Sequence, residues 1–148
     1  MARLTARGYR PTLMPFCPED ERFLNRTGLA ERHEVERSWW NARRLKQLIA
    51  VSGLTVTVGR LHPMVFAAPT GRNLAVLRPP HWVGERAGSM EKLTDMAKDL
   101  GINTFDTSDA FAAALEAGRI GPADPERVEA AVQRVDAALA RLHSLFRL

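Results

Sequence analysis

The sequence predicts an α+β fold, in which long amphipathic helices flank a three- to four-stranded antiparallel β-meander and the chain ends in a helix. Three observations predict it: a helical hydrophobic period over residues 28–52, strand-like patterns over 54–78, and a helical period again over 89–147. A length of 148 residues suits one domain, and no internal repeat or long linker interrupts the chain. We therefore expect a single α+β domain over residues 1–148.

Two helices are expected before the strands. The stretch "CPEDERFLNRTG" places Pro18 in a first turn, with acidic residues at the N-terminal end of the helix dipole and Gly28 after the last turn. Residues 28–52 then show one long helical pattern, and Gly53 stands where a C-terminal cap belongs.

The strands are expected in three short segments. "LTVTV" (54–58) alternates apolar and hydroxyl side chains, while "MVFAA" (64–68) and "LAVLR" (74–78) are short apolar runs. Because five-residue links rich in Gly, Pro or Asn separate them, we expect an antiparallel meander. The segment "PPHWVGERAG" (79–88) is expected to be irregular.

The C-terminal part is expected to be mostly helical. Ser89 can cap a helix that ends at Gly101, and "INTF" (102–105) can form a fourth strand. Thr107 or Ser108 can cap the next helix, which Gly118 stops. Asp124 as cap and Pro125 at the first position open the final helix.

The positive charge is concentrated in the middle of the chain. The net charge is +4, yet residues 37–86 hold eight basic side chains against one acidic side chain, and residues 87–148 carry a net charge of −3. Such a block attracts polyanions. It can equally pair with the acidic C-terminal third of the same chain, and the sequence leaves both interpretations open.

Two adjacent tryptophans fall at the start of this block. On the predicted long helix, Trp39 lies on the apolar arc with Leu45 and Ile49, which makes it a core residue. Trp40 lies on the opposite, polar and mostly basic face. It can be covered by the stems of Arg43 and Arg44, pack under the meander, or anchor an interface.

The first hypothesis for function is a non-enzymatic, nucleic-acid-associated accessory protein. Guanidinium groups bind phosphates with a planar fork, and a basic helix followed by an arginine-tipped hairpin can hold a phosphate backbone, whether of DNA or RNA. The Ala- and Arg-rich composition favours a bacterial or phage origin. The predicted contacts are Arg37, Trp40, Arg43, Arg44, Arg60, Arg72 and Arg78.

The alternative is a protein–protein interaction module, such as a phage or assembly subunit or an inhibitor of host machinery. Apolar residues of the last helix, from Val128 to Phe146, are spaced 4-3-4-3-4, which is the coiled-coil interval. The stripe can pack within its own domain or form the seam of a homo-oligomer or of a partner complex. The predicted interface residues are Trp40, Leu139, Leu142 and Phe146.

Enzymatic chemistry has little support in the sequence. Cys17 and the four histidines are scattered without a metal-binding spacing, and no nucleophile, P-loop or dinucleotide motif is present, so no metal and no cofactor are expected. A minor alternative is a small phosphodiester-cleaving enzyme in which His62 and His81 act as acid and base.

The expected compartment is the cytoplasm. A single cysteine excludes an intramolecular disulfide and suits a reducing environment. No apolar run approaches the ~20 residues that cross a bilayer, and the start of the chain lacks the apolar region of a secretory signal.

Overall fold

The computed structural model of the chain describes residues 2–78 and 87–146. The contacts divide the chain into two compact units, Met1–Val51 and Ser52–Leu148, which we call unit 1 and unit 2. The single domain expected over residues 1–148 stays a prediction.

Unit 1 is mostly helical. It contains α1 (Ala2–Ala6), β1 (Thr12–Leu13), α2 (Pro18–Arg26), α3 (Leu29–Arg32), β2 (Glu34–Val35) and α4 (Ala42–Val51). The two short strands pair in parallel, with Thr12 opposite Glu34. Helix α2 confirms the prediction from "CPEDERFLNRTG": Pro18 is its first residue, and Gly28 follows with a left-handed φ of 66°.

The long helix predicted over residues 28–52 is wrong. Helix α3 ends at Arg32, His33 is extended, and β2 pairs with β1. The backbone N–H of Glu36 donates to the carbonyl of Leu13 at 2.9 Å, so this segment takes its hydrogen bonds from a distant strand instead of from a helical turn. Leu45 and Ile49 are buried as expected, but Trp39 precedes α4 and does not share its apolar face.

Unit 2 alternates strands and helices. It contains β3 (Leu54–Val58), α5 (Leu61–Ala67) with a 3₁₀ turn (Ala68–Thr70), β4 (Asn73–Leu77), α6 (Ala87–Asp99), β5 (Asn103–Phe105), α7 (Ser108–Glu116) and α8 (Pro125–Phe146). The strands form a parallel sheet in the order β3-β4-β5, and Val58, Leu77 and Phe105 are in register at its carboxyl edge.

The antiparallel meander is therefore wrong, and so is the helix-plus-hairpin surface built on it. "MVFAA" lies in α5 and the turn after it, because a short apolar run fits a helix as well as a strand. Its buried residues are Pro63, Met64 and Ala67, at helical spacing, whereas Val65 is 44% exposed. A helix between two strands returns the chain to the start of the sheet, so β4 runs parallel to β3.

The core of unit 2 includes the central strand. Leu74, Ala75 and Val76 are all 0% exposed, so both faces of β4 are covered, as parallel sheets require. "INTF" does form a strand, β5, but it lies parallel to β4. The α+β composition and the C-terminal helix are confirmed; the sheet arrangement is not.

The caps of the last two helices follow the sequence. The Thr107 side chain accepts a hydrogen bond from the N–H of Ala110 at 3.1 Å, and Asp124 accepts from the N–H of Glu126 at 3.0 Å. Helix α6 begins at Ala87 and not at a Ser89 cap. The rest of the segment predicted to be irregular, 79–86, lies outside the described residues, as do His81 and Trp82.

Candidate nucleic-acid interface

A tight turn before α4 holds the two adjacent tryptophans. The N–H of Asn41 donates to the carbonyl of Ser38 at 2.8 Å, which closes a four-residue turn around Trp39 and Trp40. The Asn41 side chain then accepts from the N–H of Arg44 at 3.0 Å and caps α4. One residue thus closes the turn and starts the helix.

Trp39 is anchored to α2. Its indole Nε1–H donates to Glu21 Oε2 at 3.1 Å, and the side chain is partly buried. The same carboxylate accepts a 2.5 Å hydrogen bond from Arg37, which lies just before the turn. Glu21 therefore ties two residues of this segment to one helix of unit 1.

Trp40 points into solvent. It is 70% exposed, and its ring meets the ring of Trp39 edge to face, with centroids 5.5 Å apart and planes 84° apart. Of the three positions left open by the sequence, this exposure excludes burial in the core, and it leaves most of the ring uncovered by Arg43 and Arg44. The interface position stays a prediction.

Two of the predicted arginines are ion-paired within unit 1. Arg37 pairs with Glu21 at 2.5 Å and Arg44 with Glu36 at 3.3 Å, while the two arginine side chains stay 48% and 51% exposed. The hydrogen bond from Arg37 is the main cause that holds the pKa of Glu21 below its ordinary value, and the Trp39 indole adds to it. The pKa of Glu36 is also lowered, chiefly by hydrogen bonds from Ser38 and then by Arg44.

Arg43 differs from these two. It is exposed in the first turn of α4, and among the described residues it makes no ion pair or side-chain hydrogen bond. All ten Lys and Arg side chains of residues 1–51 are exposed, against six acidic side chains, so this segment carries the whole net charge of +4. Residues 52–148 are neutral, with eleven basic and eleven acidic side chains.

The remaining predicted arginines belong to unit 2 and do not form one cluster. Arg60 and Arg78 follow the carboxyl ends of β3 and β4, at the same edge of the sheet, whereas Arg72 precedes β4 at the other edge. Arg72 is exposed, and Arg60 is partly buried.

Arg78 is occupied by structural contacts. It donates to Asp106 at 2.5 Å and to the hydroxyl of Thr94 at 3.3 Å, which links β4 to the residue after β5 and to α6. Its Nε atom is buried without a hydrogen-bond partner among the described residues. For Arg78, pairing with the acidic C-terminal third is thus the interpretation that the structure supports.

The histidine hypothesis remains untested. His62 is exposed on α5, with its ring 6.4 Å from that of Phe66, and His81 lies outside the described residues. Among the described residues no group of three His, Cys, Asp or Glu side chains is arranged to hold a metal ion. Among the described strands, the order β3-β4-β5 also contains no reversal of strand order, the position at which open α/β sheets bind ligands.

Helix α8 carries the second predicted surface. Its described stripe residues are largely in solvent: Val132 is 50% exposed, Val135 58%, Leu139 57% and Leu142 50%. Within the described part of the chain, the stripe from Val132 to Leu142 is thus not packed into a core. The side chain of Phe146 lies outside the described residues.

The sequence did not identify the acidic half of the Trp39–Trp40 site. The sequence places Glu21 among the acidic residues at the N-terminal end of the helix in "CPEDERFLNRTG" and marks no contact for Glu36. Glu21 lies 16 residues from Arg37 and 18 from Trp39, and Glu36 lies 8 residues from Arg44, so no local spacing marks these three contacts. The only signal available was the cluster of six acidic residues within 19–36, directly before the basic segment.

Comparisons with protein-family models, curated proteins and solved structures found no match to this chain. Within the part of the chain that the structure describes, no helix combines the length and the apolar character needed to cross a membrane.

Proposed function

We propose that this protein binds nucleic acid through the phosphate backbone, and that unit 1 provides the contact surface. The observation that carries the proposal is the exposed Trp40 followed three residues later by the exposed Arg43, which pairs with no described acidic residue, in a unit that holds all of the net positive charge. Exposed cations attract a polyanion, guanidinium groups bind phosphates with a planar fork, and aromatic rings stack on bases.

Arg37 and Arg44 support Arg43 in this role. Exposed ion pairs contribute little stability, so their arginines can exchange a carboxylate for a phosphate at little cost. Arg60, Arg72 and Arg78 are assigned no direct part, because unit 2 is neutral and Arg78 is held by Asp106. The proposal includes a cytoplasmic location, which the single cysteine favours.

The experiment is fluorescence-anisotropy binding to duplex DNA, single-stranded DNA and RNA, titrated from low to physiological salt. We expect affinity to fall steeply with salt, because each phosphate contact releases counterions. Arg43→Ala should reduce the salt slope by about one. Arg134→Ala, an equal charge change at an exposed position of α8, is the matched control and should have little effect. Absence of binding at low salt would reject the proposal.

A second candidate function, self-association, is favoured by the exposed stripe of α8. We propose that two copies of this chain pair through it as a short coiled coil, because the 4-3-4 spacing buries the stripe only against a helix of the same period. Ala131 and Ala138 flank one side of the seam, and Glu129 and Asp136 flank the other.

The flanking charges favour a parallel pair. In a parallel coiled coil the two flanks face each other, and the heptad offset places Asp136 opposite Ala131 of the partner helix. In an antiparallel pair like flanks meet, and Asp136 would face its own copy across the seam. Arg134 and Arg141 lie further round the helix, outside the seam.

Light scattering over a range of concentrations tests this candidate. We expect a dimer that dissociates on dilution. Leu139→Asp should abolish the dimer, whereas Ala137→Asp, at an exposed position outside the stripe, should leave it intact. A Leu139→Cys variant in a Cys17→Ser background should form an intermolecular disulfide only in the parallel pair. A wild-type monomer at every concentration would reject the candidate.

A further inference from the structure

We infer that Trp40 is a preset stacking platform for an unpaired base, and that the nucleic acid bound by unit 1 is single-stranded. This inference rests on the proposed function and specifies its substrate class. It depends on three features of unit 1: the contacts that hold Trp40, the indole surface that stays exposed, and the arginines near Trp40 in the chain.

Trp40 is held by a hydrogen-bonded turn and a neighbouring ring although it is exposed. Its backbone lies inside the turn closed by Ser38 and Asn41, and the next residues enter a capped helix. Its ring abuts Trp39, which is fixed in turn by the bond from its indole to Glu21. A side chain ordered before binding loses little conformational entropy when a ligand covers it.

Trp39 is therefore a positioning residue. An edge-to-face pair brings the two rings together through one ring's edge, so less ring surface is covered than in a stacked pair. The 70% exposure of Trp40 is consistent with this, and it leaves indole surface on which a base can stack.

The charges beside Trp40 match a nucleic-acid backbone. Arg43 lies three residues after Trp40, is exposed and has no partner within the described residues. Arg37 and Arg44 flank the turn on either side and keep about half of each side chain in solvent. A stacked base would thus carry its phosphates into a region with three guanidinium groups.

A single strand fits this arrangement better than a duplex. Base faces are accessible only when a base is unpaired and unstacked from its neighbours, and an indole face offers no polar atoms with which to read base edges in a groove. Duplex DNA can still bind to the arginines by charge alone. Loss of the Trp40 ring should therefore weaken binding of single strands but not of duplex.

The test compares oligo(dT) with a duplex of matched length for the full chain and its variants. We expect Trp40→Ala to weaken oligo(dT) binding by about tenfold with an unchanged salt slope, and to leave duplex binding unchanged. Trp40→Phe should restore most of the affinity. Oligo(dT) should quench tryptophan fluorescence in the wild type more strongly than in Trp40→Phe.

Two further variants distinguish stacking on Trp40 from the effect of removing any exposed aromatic ring of unit 1. Phe23→Ala removes another exposed aromatic ring of unit 1, 45% exposed on α2, and should leave binding unchanged. Trp39→Phe removes the bond to Glu21 but retains a ring. We expect it to lower the affinity for oligo(dT) less than Trp40→Ala does, with the same salt slope, and to leave the affinity for duplex unchanged.

The outcomes are distinguishable. Equal losses for single strand and duplex in Trp40→Ala, or an equal loss in Phe23→Ala, would overturn the stacking inference while the nucleic-acid proposal stands. Wild-type protein that binds neither ligand at low salt would overturn both.

Discussion

The indole N–H of Trp39 donates a 3.1 Å hydrogen bond to Glu21, and this bond ties the turn before α4 to helix α2. Arg37 binds the other oxygen of the same carboxylate. An acidic residue of one helix therefore fixes the segment that presents Trp40, and the stability of that segment should depend on the charge of Glu21.

Acidification should weaken this anchor. Because the folded pKa of Glu21 is below its ordinary value of 4.5, its stabilisation is complete above that value and is lost as the pH falls through the lowered folded pKa. Glu36 acts in the same direction. Chemical denaturation followed by tryptophan fluorescence should show wild type more stable than Glu21→Gln near neutral pH, and the difference should disappear in acid. A difference that persists in acid would mean that the charge of Glu21 is not responsible.

Removal of the cap of α4 should destabilise unit 1. Asn41→Ala eliminates the acceptor for the Arg44 N–H, and we expect a loss of about 1 kcal/mol in the free energy of unfolding. Asn41→Asp retains an acceptor and serves as the control. Urea denaturation provides the measurement, and equal stabilities for Asn41→Ala and wild type would contradict the assigned cap.

The glycine between α6 and β5 should tolerate no side chain. Gly101 has a φ of +67°, and a Cβ there would lie 3.0 Å from the Cβ of Asp124, the residue that caps α8. Gly118 has a similar φ of +64°, but open space surrounds it. Thermal unfolding should show Gly118→Ala destabilised by about 1 kcal/mol from backbone strain, and Gly101→Ala by more, since the cap must also move. Equal effects would show that the contact with Asp124 is unimportant.

The buried hydroxyl of β3 should stabilise the carboxyl edge of the sheet. Thr57 is 2% exposed and donates to the carbonyl of Arg60 at 2.5 Å. Thr57→Val keeps the shape but deletes the donor, so we expect a loss of about 1–3 kcal/mol. Thr55→Val, two residues earlier on the same strand, should change stability little. Differential scanning calorimetry on both variants measures the comparison, and a neutral Thr57→Val would refute the role of this bond.

Local signals predicted the ends of several helices. Pro18 begins α2, Thr107 caps α7, and Asp124 with Pro125 opens α8, because capping depends on side chains within a few residues of the helix end. Local signals did not predict the structure where a strand from a distant part of the chain supplied the backbone hydrogen bonds. The pattern over residues 28–52 is helical, but β2 takes its hydrogen bonds from β1, about twenty residues earlier in the chain.

The candidate site was predicted in part. Trp40 and Arg43 were singled out because a tryptophan among basic residues is unusual, but the reason given, a polar face of one long helix, was wrong. Trp39 was expected in the core and is instead partly buried, with its ring edge to face against that of Trp40. Arg60 and Arg78 do lie at the same edge of the sheet, because β3 and β4 are parallel and both end there. The first and third strands of a meander would also end at one edge, so the prediction was right although the predicted sheet was wrong.

By itself the sequence determined the α+β composition, the caps of the later helices, the excess of positive charge and the 4-3-4 spacing of apolar residues in α8, because each depends on residue type and near-neighbour spacing. Only the tertiary structure decided that β3 and β4 run parallel, that the helix over residues 28–52 is interrupted, and that Glu21 and Glu36 bind the arginines around the turn. Those features depend on hydrogen bonds and ion pairs between segments far apart in the chain, for which a local hydrophobic period holds no information.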